Sequence, residues 1–163
     1  MSALQDRVCL ITGGAGSIGR AVAKLFADEG AQLVLSDLAE SALATARAEI
    51  GSHRAVTVAG DVTRAEDAAR MVETAISAFG RLDVVVSNAG NFGTVAPIGE
   101  YPEEVFDAVY KVHVKGAFLL AQAAVPRMTD GGSIVIMSSV AGTRGDPGVY
   151  GYITAKHAQV GLM

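Results

Sequence analysis

Five short apolar runs alternate with segments of helical periodicity along this chain, and no other feature restricts its fold as much. The runs are RVCLITGG (7–14), AQLVLSD (31–37), AVTVAGDV (55–62), RLDVVVSNAG (81–90) and GGSIVIMSS (131–139). Each carries a continuous Val/Ile/Leu stretch, as a strand buried on both faces requires. Between them, Ile18, Ala21, Val22 and Leu25 follow helical spacing, and Gly30 can stop that helix. Residues 39–50 read as an Ala- and Glu-rich helix. Residues 65–79 read as a helix with Ala68, Met71, Val72 and Ile76 inward. Pro102 opens a long helix to about Met128, and a last helix starts near Tyr150. Strand, helix, strand, helix predicts an α/β fold: a doubly wound parallel sheet covered on both faces, three layers in all.

The chain has 163 residues, enough for one domain with a real core, so a single domain over 1–163 is expected. Half of the residues are hydrophobic, which excludes disorder. The net charge is -4 with both signs scattered, so no basic stripe points to nucleic acid or to an anionic membrane. One cysteine, Cys9, lies in an apolar run and has no partner in the chain, which points to a reducing cytoplasm. The start MSALQDR lacks the apolar stretch of a signal peptide, and no window is long enough to span a bilayer.

The segment TGGAGSIG (12–19) joins the first strand to the first helix. Gly13, Gly16 and Gly19 let the backbone turn sharply and let a pyrophosphate approach it, where the helix start offers N–H groups and a positive dipole end. Asp37 ends the second strand about twenty residues on, where a carboxylate grips an adenosine ribose and repels the phosphate of NADP. Asp61 ends the third strand, NAG (88–90) the fourth and Ser139 the fifth. In a parallel sheet these ends share one rim, and ligands bind there in such folds. No metal site is expected.

The segment YGYITAKH (150–157) places Tyr152 and Lys156 four apart, on one helical face. Tyr150 has Thr154 four later and lacks such a partner. Moving a hydride to or from a carbinol carbon also requires a proton to move at its oxygen. Tyrosine holds its proton tightly near neutrality, and a neighbouring ammonium lowers that pKa. A hydroxyl at the end of the fifth strand could hold the substrate oxygen.

TGGAGSIG, NAG, SSVAG and YITAK, in this order, resemble the short-chain dehydrogenase/reductase family, of the classical type, over essentially the whole chain. The resemblance implies a Rossmann-type domain and an NAD-dependent oxidoreductase acting on a secondary alcohol or ketone. It implies Tyr152 as general acid/base, Lys156 as the residue that lowers its pKa and binds the nicotinamide ribose, and Ser139 as holder of the substrate oxygen. Gly13, Ser17, Ile18 and Gly19 would line the pyrophosphate turn. Asp37 would bind the adenosine ribose, and Asp61, with Val62 beside it, would approach the adenine. Asn88 would support the central strands, with Ala89 and Gly90 continuing the cofactor wall. The full-length form is expected to be a homo-oligomer, dimer or tetramer.

Three departures stand out. Ser17 stands where the family has glycine, with Gly16 one position earlier. His113 stands where it usually has an asparagine that holds a water in the proton path; His113 either takes that part or packs. The chain ends at Met163, where the family continues through another strand, a substrate lid and a final strand. A truncated product and an incomplete sequence both fit that end, and either leaves the fifth strand as an edge. Residues 93–97 and 143–149 are the visible specificity loops. Two other functions stay open: a 3-oxoacyl-thioester reductase, and a non-catalytic dinucleotide-binding module produced by truncation.

Overall fold

The computed structural model describes residues 2–51 and 53–163. Among these, five strands form one parallel sheet: β1 (Val8–Thr12), β2 (Gln32–Asp37), β3 (Ala55–Ala59), β4 (Val84–Ser87) and β5 (Ser133–Ile136). Their spatial order is β3-β2-β1-β4-β5. The chain therefore winds outward from β1 in one direction through β3, then crosses to the other side for β4. A cleft opens where the direction reverses, between the carboxyl ends of β1 and β4.

Residues within each strand point alternately to the two faces, and each face has its own core. Val8 and Leu10 of β1, Val34 of β2 and Val85 of β4 meet Met71, Val72 and Ala75 of α3 (Ala65–Phe79) and Leu120 and Ala124 of α5 (Gly116–Ala124). Cys9, Ile11, Leu33, Leu35 and Val86 face the other way, onto Ala23 of α1 (Ser17–Asp28) and Leu43 and Ala46 of α2 (Glu40–Ile50). This is a Rossmann-like three-layer αβα sandwich. Burial pushes the Cys9 thiol up to about 12, with the Asp83 charge adding to the rise, so the thiol stays protonated and inert.

Asp83 ties the amino ends of the central strands together. Its carboxylate accepts from Val8 N–H at 3.0 Å, Arg7 Nη1 at 2.9 Å, Arg81 Nε at 2.8 Å and Thr129 Oγ1 at 2.9 Å. Burial alone would raise its pKa. The hydrogen bonds from Arg81, Val8, Arg7 and Thr129 outweigh that and hold the carboxyl far below the usual range.

Three local expectations are corrected. First, Ile18 and Leu25 are more than half exposed, and α1 packs through Gly19 and Ala23 instead. A Cβ on Gly19 would stand 2.1 Å from the Gly13 carbonyl oxygen, so the helix approaches the turn by its smallest residue and rotates Ile18 outward. Second, the fourth and fifth strands are shorter than their apolar runs, because residues beyond Ser87 and Ile136 leave the ladder to build the rim. Third, the long helix after Pro102 is broken. α4 (Glu103–Tyr110) passes into a π-turn over Lys111–Lys115, then α5, then a 3-10 turn Val125–Arg127. The wide turn is closed by Gly116 N–H on the Lys111 carbonyl, five residues back.

The last helix, α6 (Tyr150–Leu162), packs on α4 and on the 3-10 turn Val140–Gly142 that follows β5. Among the described residues β5 pairs only with β4 and forms an edge of the sheet, with Val135 turned partly outward. No helix among the described residues is long and apolar enough to cross a membrane.

Candidate active site

The cleft at the switch point holds a cavity of about 420 Å³. Its walls include Gly13, Gly16, Ser17 and Ile18 from the glycine turn, Asp37 and Leu38 after β2, Asp61 and Val62 after β3, and Asn88, Ala89, Gly90 and Asn91 after β4. Gly19 lies beneath the turn.

The turn is shaped by two glycines. Gly13 has φ +65°, a left-handed conformation that favours glycine, and a Cβ there would lie 2.9 Å from Asn88 Nδ2. Gly19 lies against Gly13 as described. Gly16 is the N-cap of α1, and no side chain caps that helix start, which borders the cavity. Ser17 is the first helical residue, so its small side chain leaves the turn open.

Asp37 is held in place by the glycine turn and by its own loop. Oδ2 accepts from Ala15 N–H at 3.0 Å and Oδ1 from Leu38 N–H at 2.8 Å. Each oxygen keeps a further lone pair for a ligand hydroxyl. Asp61 closes an Asx-turn, its Oδ1 accepting from Thr63 N–H at 2.8 Å. Val62 packs against Gly116, where a Cβ would stand 2.9 Å from its Cγ2. Asn88 locks the cleft from below: Nδ2 donates to the Thr12 carbonyl at 3.0 Å and the Gly13 carbonyl at 3.2 Å. Thr12, fully buried, completes that clasp by accepting from Asn88 N–H at 3.1 Å and Ala89 N–H at 3.2 Å. These features suit an adenosine, a ribose diol and a pyrophosphate.

Tyr152, Lys156, Ser139 and His113 lie outside the walls of that cavity, further along the same rim. Asn91 connects the two parts. His113 Nε2 lies 2.7 Å from the Asn91 carbonyl oxygen and 3.2 Å from its N–H. The shorter contact favours Nε2–H as donor to the carbonyl, and Nδ1 has no partner among the described residues. The His113 ring meets Tyr152 edge-on, centroids 5.5 Å apart. Phe92 leans on Tyr152 from another side at 5.2 Å. His113 is 4% exposed. Burial lowers its pKa, opposed by the Asn91 backbone hydrogen bond and assisted by the Lys156 charge. The net effect favours the neutral imidazole.

Lys156 is also 4% exposed. Its ammonium donates to the Met137 carbonyl at 2.6 Å and to Gln159 Oε1 at 3.0 Å, and lies 5.4 Å from the centre of the Tyr152 ring. Burial pushes its pKa down to about 8, so it remains largely an ammonium at pH 7. The two serines after β5 have different tasks. Ser138 Oγ donates to the Lys156 carbonyl at 3.0 Å and docks α6. Ser139 Oγ accepts from Ala141 N–H at 3.2 Å and keeps its own proton to donate. Tyr150 packs edge-on against Tyr101 at 5.6 Å, away from this chemistry.

Sequence reasoning passed over Thr12, Asn91 and Gln159. Thr12 opens the glycine segment and could have been marked as the strand's last side chain. Asn91 follows NAG directly. Gln159 carried one signal, a polar residue one turn beyond Lys156 on a face that otherwise turns inward.

The model of the short chain dehydrogenase family matches residues 7–163. The chain belongs to that family. It is 38% identical to short chain aldehyde dehydrogenase 1 of Euphorbia lathyris, over 98% of this chain and 57% of that protein. It is 37% identical to the 3-oxoacyl-(acyl-carrier-protein) reductase FabG of Thermotoga maritima, over 98% of this chain and 66% of that one. Among solved structures, NAD+-bound xylitol dehydrogenase superposes with a TM-score of 0.95 at 35% identity, covering 98% of this chain and 63% of that chain. Levodione reductase gives 0.93 at 34% identity, with 98% and 64% coverage. The chain spans about three fifths of the length of these relatives. The rim described above is where this member carries the residues of its motifs.

Proposed function

We propose that this short-chain dehydrogenase binds NAD(H) in the switch-point cleft and moves a hydride between the nicotinamide and a secondary alcohol or ketone. The observation that carries the reading is the buried Lys156 ammonium, held one helical turn from Tyr152 on the same rim as the switch-point cleft. The nicotinamide, when bound, supplies or accepts the hydride.

The chain's own residues handle everything else. Asn88, Thr12 and the glycine turn keep the cleft open, and Asp37 binds the adenosine ribose diol. Its carboxylate opposes a 2'-phosphate. Ser139 donates its free proton to the substrate oxygen. Tyr152 O–H gives a proton to that oxygen as a ketone is reduced and takes it back as an alcohol is oxidised. The Lys156 ammonium stabilises negative charge that develops on the Tyr152 oxygen, and it would bind the nicotinamide ribose. Phe92 and His113 pack around the Tyr152 ring and hold its direction.

The likeness to the Thermotoga reductase supports a second reading, in which the ketone is that of a 3-oxoacyl thioester. The experiment is Tyr152→Phe, which deletes one hydroxyl and keeps the ring. It should remove most turnover of a panel of secondary alcohols, ketones and 3-oxoacyl thioesters while leaving NADH binding nearly intact. Turnover close to wild type would refute the assignment. Tight NADH binding with no turnover by the wild-type chain would instead identify a dinucleotide-binding module.

A further inference from the structure

Gln159 is a buried amide, 1% exposed, on the inward face of α6, where an aliphatic residue would satisfy packing. Both ends of the amide are committed. Oε1 accepts from Lys156 Nζ at 3.0 Å, and Nε2 donates to the His113 carbonyl at 3.0 Å. The two bonds fix the orientation of the amide, because the ammonium has only donors and the carbonyl only accepts. The His113 carbonyl lies within the π-turn of Lys111–Lys115.

We infer that Gln159 is a positioning residue for Lys156, tying the ammonium to the main chain of the π-turn so that its last N–H is directed along the Tyr152 side of the cleft. The inference rests on the proposed role of Lys156 and extends it. Lys156 has three N–H donors. One is bound by the Met137 carbonyl at the end of β5, and a second by Gln159. Two anchors on different elements leave a long flexible side chain one free donor in one direction. The same π-turn carries the His113 ring, which touches both Tyr152 and Asn91. Gln159 therefore closes a ring of contacts from Lys156 through the π-turn to Tyr152. The titratable groups that face Lys156 are Tyr152 on its own helix and His113 on the π-turn.

The test is an NMR titration of the apo chain, following the ε-carbon of Lys156 and the side-chain amide of Gln159. In the wild type the Gln159 amide should shift with the Lys156 midpoint, because its oxygen loses a charged donor there. Gln159→Leu and Gln159→Met remove the acceptor. Each should lower the midpoint by about one unit, roughly tenfold in the ammonium equilibrium. In steady-state kinetics each should lower kcat by roughly tenfold or more with little change in KM. A Gln159 amide that stays flat through the Lys156 titration would overturn the inference, and this measurement needs no variant to fold. Variants that fold and leave both midpoint and kcat unchanged would also overturn it. Coupled titration with no wild-type turnover would sink the hydride-transfer reading and leave the positioning role standing.

Discussion

Gly90→Ala should destabilise the protein although the backbone at Gly90 is not in the left-handed region. The reason is the His113 ring. A Cβ on Gly90 would stand 2.3 Å from His113 Cε1, 3.0 Å from Nε2 and 3.1 Å from Nδ1. The ring has little room to retreat, being bound to Asn91 at one edge, set against Tyr152, and nearly fully buried. Either the ring swings into Tyr152 or the NAG loop lifts from Thr12. Overpacking of this kind costs about 1–3 kcal/mol, which for a chain of this size lowers Tm by roughly 2–12 °C. His113→Ala leaves a hole that the new methyl partly fills, so the double variant should be at least about 1 kcal/mol more stable than the sum of the single changes. Gly99→Ala is the control: nothing lies within 4 Å of its Cβ position, so it should stay within about 0.5 kcal/mol of wild type. The assay is urea unfolding of the four proteins and the control. A Gly90→Ala variant as stable as the control, or an additive double variant, would refute the placement of His113 under the NAG loop.

Two further outcomes follow from buried charge. Lys156 has its folded pKa depressed to about 8 from 10.5, so the unfolded chain binds more protons between those values and stability should rise with pH across that window. Lys156→Met should remove that rise, on the order of 3 kcal/mol in all; a pH-independent difference between the two proteins would contradict it. Asp83 has its folded pKa depressed, so its contribution is present above about pH 4 and is lost as pH falls further. Asp83→Asn should cost at least about 2 kcal/mol at pH 7 and flatten the acid limb of the stability curve, both read by urea unfolding.

Much of this molecule was legible in its sequence, for a physical reason. A parallel strand buried on both faces must be apolar throughout, so the five runs announced themselves, and the alternation with helices ordered them. α3 occupies Ala65–Phe79 as its periodicity indicates, with Gly80 in the left-handed conformation closing it. What periodicity could not carry was which face a small-residue helix uses: Ile18 and Leu25 look like core and face outward because Gly19 decides the contact. The π-turn was also hidden, since KVHVK has the composition of ordinary helix. At the rim, strand-end residues could be grouped because topology alone brings them together. The contacts that organise the chemistry could not, because they join distant segments: Asn91 to His113, and Gln159 between Lys156 and the π-turn.

The central claim is that the cleft between β1 and β4 is an NAD(H) site whose choice of cofactor is made by Asp37. The direct measurement is a fluorescence titration of this chain with NADH and with NADPH at fixed ionic strength. The Asp37 carboxylate, held by two backbone N–H groups, lines the cleft, and on the proposed reading a 2'-phosphate beside it would meet a like charge at reduced effective dielectric. NADH should bind roughly tenfold or more tightly than NADPH, and Asp37→Ala should narrow that gap by weakening NADH and relieving NADPH. Equal or tighter binding of NADPH by the wild-type chain would contradict the account.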